Sequence, residues 1–250
     1  MQVPAPIPHK AVAVITALAG LLALACLVLS ALTLMNHPSA FADLRQMLGL
    51  PDLNVRMLRW SMLLDMLGFY LFLLPAIYYL QNHLRQQTAW ADFITFCGTA
   101  YVLIGAIGAA ILAQVTPGLL TDYLNATADR QDHIRLLYQT LLQVVYGSLW
   151  NLVEVLLGGV WWLLTGWFLR TTSRAFGWTT LVLGAFTALD GLGTLMGQAA
   201  LASLALNGYF LLAPIWTIWL SVRLWKIPEA TQPTKPKWAF AEVYHTTKST

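Results

Sequence analysis

Three carboxylates stand in stretches of sequence that carry almost no other charge. They are Asp65 in RWSMLLDMLGFYLFLLPAIYYL, Glu154 in YGSLWNLVEVLLGGVWWLLTGWFLR and Asp190 in FGWTTLVLGAFTALDGLGTLMGQ. Between Leu136 and Leu169, Glu154 is the only ionisable acid or base apart from Tyr138 and Tyr146. A carboxyl in so apolar a run can exchange a proton, hold a cation or meet the amine of a solute. It can also stay protonated and tie helices together through a hydrogen bond. Placing an acid at the centre of a membrane helix costs roughly 2.5 to 3.5 kcal/mol on insertion scales, so each must face protein or water, or remain neutral. Tyr70, Tyr101, Tyr146, Asn151 and Gln198 lie in or beside the same runs and could donate hydrogen bonds to these carboxyls.

Other chemistry is excluded by what is missing. There is no HExxH pair for zinc, no GxSxG nucleophile and no Walker A loop. His9, His37, His83, His133 and His245 all fall outside or at the edges of the apolar runs, and no lysine sits within one. Cys26 and Cys97 lack a CxxC or a nearby histidine and read as small buried thiols. The expectation is a protein with no catalytic residues, no metal and no cofactor.

The elements that must position the acids are membrane helices. The chain is 58% hydrophobic and 10% charged, which is not the balance of a soluble domain. Six runs reach the roughly 20 residues a spanning helix needs: about 11–35, 58–80, 93–116, 146–169, 176–198 and 206–225. The expected fold is therefore an all-α bundle of about six transmembrane helices over 11–226. A short cytoplasmic lead (1–10) precedes it and a polar, Pro/Lys/Thr-rich disordered tail (227–250) follows. The first run is far longer than the 7 to 15 residues of a signal-peptide core and is expected to remain as a span.

The net charge of +3 reads as orientation rather than nucleic-acid binding. Nine Lys and Arg fall in the termini and even-numbered loops, against five in the odd-numbered loops, which predicts cytoplasmic termini. In the first outer loop, Phe41 to Leu48 reads as a short helix at the lipid surface, or as a lid over an outer cavity. Pro117 to Arg135 reads as a polar outer loop. A helix continuing from Ile134 to Leu169 would be about 54 Å long, so it should protrude or break near Gly147. Pro75 should kink the second span. Gly193-x-x-x-Gly197 reads as a close-packing motif in the fifth.

With that topology, Asp65, Glu154 and Asp190 fall within roughly 5 Å of one depth in the outer half of the bilayer, at about 1.5 Å per residue. No lysine, arginine or histidine occurs at that depth to neutralise them. Asp65, Glu154, Asp190, Asn151, Tyr70 and Tyr146 are thus the candidate ligand- or ion-binding residues.

The order of an arginine, then LLDMLGFYLFLLPAIYYL, and later GGVWWLLTGWFLRTTSRAFGWTTLVLGAFTALDGL resembles bacterial multipass proteins of the type called domain of unknown function 4386. The resemblance covers about Arg56 to Leu195, and Asp65 and Asp190 occupy the places of that family's span aspartates. Glu154 and the tryptophan-rich fourth span have no counterpart there. The resemblance implies a bacterial inner-membrane protein. Two functions fit these residues: transport or sensing of a small solute, proton or cation, or a non-catalytic membrane subunit that packs against a partner or a second copy. The bilayer itself is the one partner both require.

Overall fold

The computed structural model describes residues 8–37, 40 and 44–227. The polar tail beyond Ile227 and most of the N-terminal lead lie outside them. Six helices are long and apolar enough to cross a membrane: α1 (His9–Leu34), α2 (Val55–Leu84), α3 (Ala91–Asn125), α4 (Ala128–Thr172), α5 (Arg174–Leu195) and α6 (Ala199–Trp225). The physical reason for helices throughout is the solvent, since lipid offers no partner for an open backbone N–H or C=O. The protein is an all-α integral membrane bundle. Six successive helices bring the start of α1 and the end of α6 to one end of the bundle, where Lys10 lies over Trp225; that end is called proximal below and the opposite end distal.

Each helix packs on the next in sequence, and α6 returns to α1, so the six close into a ring. Glycines set the tightest approaches. A Cβ on Gly68 of α2 would lie 2.4 Å from the backbone nitrogen of Ala23 in α1, and one on Gly184 of α5 would lie 2.6 Å from that of Leu163 in α4. In α3 the small residues serve a different purpose. Gly98, Gly105 and Gly108 face the rings of Trp161, Tyr70 and Trp150, making room for aromatic side chains instead of a neighbouring backbone.

The proximal half of the ring is filled. Trp161, Trp162 and Trp216 are almost wholly buried there, with Trp162 and Trp216 at right angles and ring centroids 4.6 Å apart. Phe176 stacks on Trp216 at 5.3 Å, and the Trp216 indole N–H donates to Thr180 Oγ1 at 2.7 Å. Such rings bury large apolar areas in fixed relative geometry.

The distal side departs from expectation. The polar stretch Pro117 to Arg135 is not a loop: α3 runs through Pro117 to Asn125, and α4 restarts at Ala128. The loop reading followed the polarity of the stretch, but packing outweighs it, because Leu120 and Tyr138 are buried in a second apolar cluster with Leu53, Leu58 and Leu112. Arg135 braces the hairpin by donating to Tyr123 Oη (2.7 Å) and Asp132 (3.1 Å). At about 1.5 Å per residue, α3 (35 residues) and α4 (45 residues) outrun the roughly 30 Å hydrocarbon core and project distally. The expected surface helix around Phe41 to Leu48 survives, among described residues, as the 3-10 turn Leu44–Met47. It does not lie free at a lipid surface, for the Tyr138 hydroxyl donates to the Leu44 carbonyl at 2.9 Å.

Candidate functional site

Each acid is positioned by a helix with a local irregularity beside it. In α2, the regular helix ends at Asp65 and the next five residues, Met66–Tyr70, form a wide π turn. A tight 3-10 turn, Leu71–Leu73, follows before regular helix resumes at Leu74. Pro75 supplies the cause, since it has no N–H for the Leu71 carbonyl. The Leu74 N–H takes that carbonyl instead, tightening the turn. The kink expected at Pro75 is thus spread over the preceding two turns.

In α4 the irregularity is longer. Gln143–Glu154 is π-helical for twelve residues and ends on Glu154. Of the two outcomes expected for this long helix, protrusion is the one found: near Gly147 the helix widens but does not break. Ser148 Oγ donates to the Gln143 carbonyl five residues back, at 3.4 Å. A widened turn changes which side chains share a face, so Tyr146, Trp150, Asn151 and Glu154 all border the same interior space. π segments of this kind are rare and recur at functional sites. In α5, Asp190 sits within regular helix, one turn before the end. Gly197 is not part of a packing motif there. It lies in the α5–α6 turn with φ of +67°, and the Gln198 N–H closes that turn on the Gly193 carbonyl at 2.7 Å.

The three acids line one cavity of about 960 Å³ enclosed by the distal half of the ring. Tyr70, Tyr146 and Asn151 line it too, so all six residues singled out in the sequence are brought together. Asp65, Glu154 and Asp190 are buried, at 7%, 4% and 2% exposure. Glu154 lines the cavity together with both aspartates. Its Oε1 accepts a hydrogen bond from the Tyr70 hydroxyl at 3.0 Å. Asp65 Oδ2, Glu154 Oε2 and both Asp190 carboxyl oxygens are buried without a hydrogen-bond partner among the described residues. No Lys, Arg or His among the described residues lines the cavity.

Sequence reasoning missed part of the aromatic wall. Tyr209 of α6 lines the cavity and shares a hydrogen bond with Tyr101 of α3. Trp150 also lines it, its indole N–H donating to the Gly105 carbonyl at 3.2 Å and its ring meeting Tyr146 edge-on at 4.8 Å. Gln198, expected as a donor, is not among the lining residues, although its neighbours Gly197 and Ala199 are. A depth argument would have found Tyr209, which lies about one and a half turns before Pro214 in an otherwise apolar stretch. Cys26 and Cys97 are both free and buried. No group of three or more His, Cys, Asp and Glu among the described residues could hold a metal ion.

The arrangement defines a class: a six-helix integral membrane protein with an acidic, aromatic-walled cavity in the distal half of the bundle. Comparison with known proteins adds no relative, since no family model, curated protein or solved structure matches the chain.

Proposed function

We propose that the cavity binds a small cationic solute for transport or sensing, in a bacterial inner membrane with both termini cytoplasmic. One observation carries the reading. Buried carboxyls are normally paired or hydrogen-bonded, yet three acids that line one cavity here keep buried oxygens without a hydrogen-bond partner, and no basic residue among the described residues lines that cavity. A positively charged guest satisfies them. The cavity's volume falls in the roughly 300 to 1,000 Å³ range of small-molecule sites, well beyond the needs of a bare ion. Tyrosine and tryptophan rings add faces that attract cations.

The orientation is supported by the charge count. The cavity then faces outward, while the tryptophan plug closes the cytoplasmic side. Transport requires a second state in which that plug opens; sensing requires only that binding shift the helices.

The alternative is a non-catalytic subunit whose acids are protonated packing residues. Binding of tetramethylammonium to purified protein in nanodiscs decides between them. The expected result is saturable binding that Glu154→Gln, Asp65→Asn and Asp190→Asn each weaken at least tenfold with little change in thermal stability. Absence of saturable binding to the unaltered protein would leave the subunit reading.

A further inference from the structure

The ring of helices is not equally closed at all depths, and the gap lies between α1 and α6. One face of α1, by the helical period, carries Gly20, Leu24, Leu27 and Ala31. At Gly20 that face is shut against α6. A Cβ there would lie 2.6 Å from the Ile218 side chain and 3.3 Å from the Pro214 carbonyl. Nearer the proximal end, Ser221 of α6 donates to the Ala13 carbonyl at 2.8 Å. One turn beyond Gly20 the same face is open. Leu24 is 40% exposed, and Leu27 and Ala31 line the cavity, with Ala31 itself exposed. On α6 the matching positions Ser203 and Asn207 also line the cavity and are exposed. The two helices therefore touch in the proximal half and part in the distal half.

The sequence supplies the reason for the parting. Pro214 sits inside α6 where Gly20 of α1 packs against it, and it cannot donate to the Phe210 carbonyl, which frees the helix to bend there. Beyond that point α6 is held by α5 instead: Gly193 fits against Ala202, and Gly208 against the Phe186 ring. The opening is bordered by Val28 and Leu32 on α1 and by Leu204 and Leu211 on α6, all strongly exposed. Such residues face lipid in a membrane protein, so the mouth opens sideways into the bilayer.

We propose that the cavity takes a membrane-partitioned amphiphile with a cationic amine head, admitted sideways between the distal halves of α1 and α6. This rests on the reading that the three acids receive a cation. The head would lie against Asp65, Glu154 and Asp190 among the rings of Tyr70, Tyr146 and Tyr209. The apolar tail would follow Leu27, Leu34 and Leu206 toward the mouth. Fatty acids and anionic lipids are disfavoured by the same carboxyls that favour an amine.

The test compares two radiolabelled probes with one head group, dodecyltrimethylammonium and tetramethylammonium, on the full chain in phosphatidylcholine nanodiscs. Retention by empty nanodiscs is subtracted. Val28→Trp and Leu204→Trp each add bulk beside the mouth at a strongly exposed position outside the cavity lining, so the fold should tolerate them. Each should slow the association of dodecyltrimethylammonium at least tenfold and leave that of tetramethylammonium unchanged. Glu154→Gln should weaken both probes. If both probes bind and depend on Glu154, but neither tryptophan slows the long-chain probe, or both probes slow alike, the lateral route is overturned and the cation site survives. If neither probe binds the unaltered protein, the cation site fails and this proposal fails with it.

Discussion

The Tyr70 hydroxyl reaches across the bundle to Glu154 Oε1 at 3.0 Å, joining the last residue of one π-helical segment to the last residue of the other. A single hydrogen bond thus links the two irregular helices on which the cavity depends.

Replacing one atom tests what Glu154 contributes. Glu154→Gln keeps an acceptor for Tyr70 at nearly constant shape, so its stability should stay within about 0.5 kcal/mol of the original, as expected when the bond survives. Tyr70→Phe removes the donor and should cost about 0.6 to 1.7 kcal/mol, the range for interhelical hydrogen bonds in membranes. Thermal unfolding in detergent measures both. A Gln variant as unstable as the Phe variant would show that the carboxyl matters to the fold for some other reason.

Gly105 should tolerate added bulk poorly. A Cβ there would lie 1.9 Å from the Tyr70 ring, which cannot yield without losing Glu154. Gly105→Ala should destabilise by about 1 to 3 kcal/mol, the cost of overpacking. Much of that loss should vanish in the Tyr70→Leu background. A double-mutant cycle on unfolding free energies measures the coupling, and simple additivity would mean that Tyr70 is free to move.

The proximal plug predicts a large effect away from the acids. Trp161 is fully buried between Trp162 and Trp216, with centroids 4.3 and 6.2 Å away. Trp161→Ala should cost about 3 to 5 kcal/mol, whereas Trp216→Phe should cost less, losing mainly the bond to Thr180. Melting curves of the two variants should separate clearly.

Orientation is open to direct labelling. Asp129 is exposed in the first turn of α4 at the distal end, and Ala89 is exposed in the α2–α3 turn at the proximal end. Both native cysteines are buried and should stay silent. In intact cells an impermeant maleimide should label Asp129→Cys and spare Ala89→Cys. The opposite pattern would turn the cavity toward the cytoplasm.

Much of the architecture follows from the sequence alone, because crossing a membrane is a one-dimensional requirement. Run length and the exclusion of charge predict six spans without reference to any partner residue, and the structure has six. Depth is also one-dimensional, so Asp65, Glu154 and Asp190 could be placed at one level by counting residues. That they share a cavity was decided by tertiary structure. Ring closure by α6 on α1 turns the three faces inward, and the π turns at Met66–Tyr70 and Gln143–Glu154 rotate Tyr70 and Glu154 into contact. No local pattern announces a π turn, since it is held in place by packing from neighbouring helices. Packing likewise carried α3 through Pro117 into a stretch whose polarity read as a loop, because burial of Leu120 and Tyr138 outweighed the one hydrogen bond that Pro117 cannot donate. The parting of α1 from α6 depends on where Gly20 meets Pro214, a contact between residues almost two hundred positions apart in the chain.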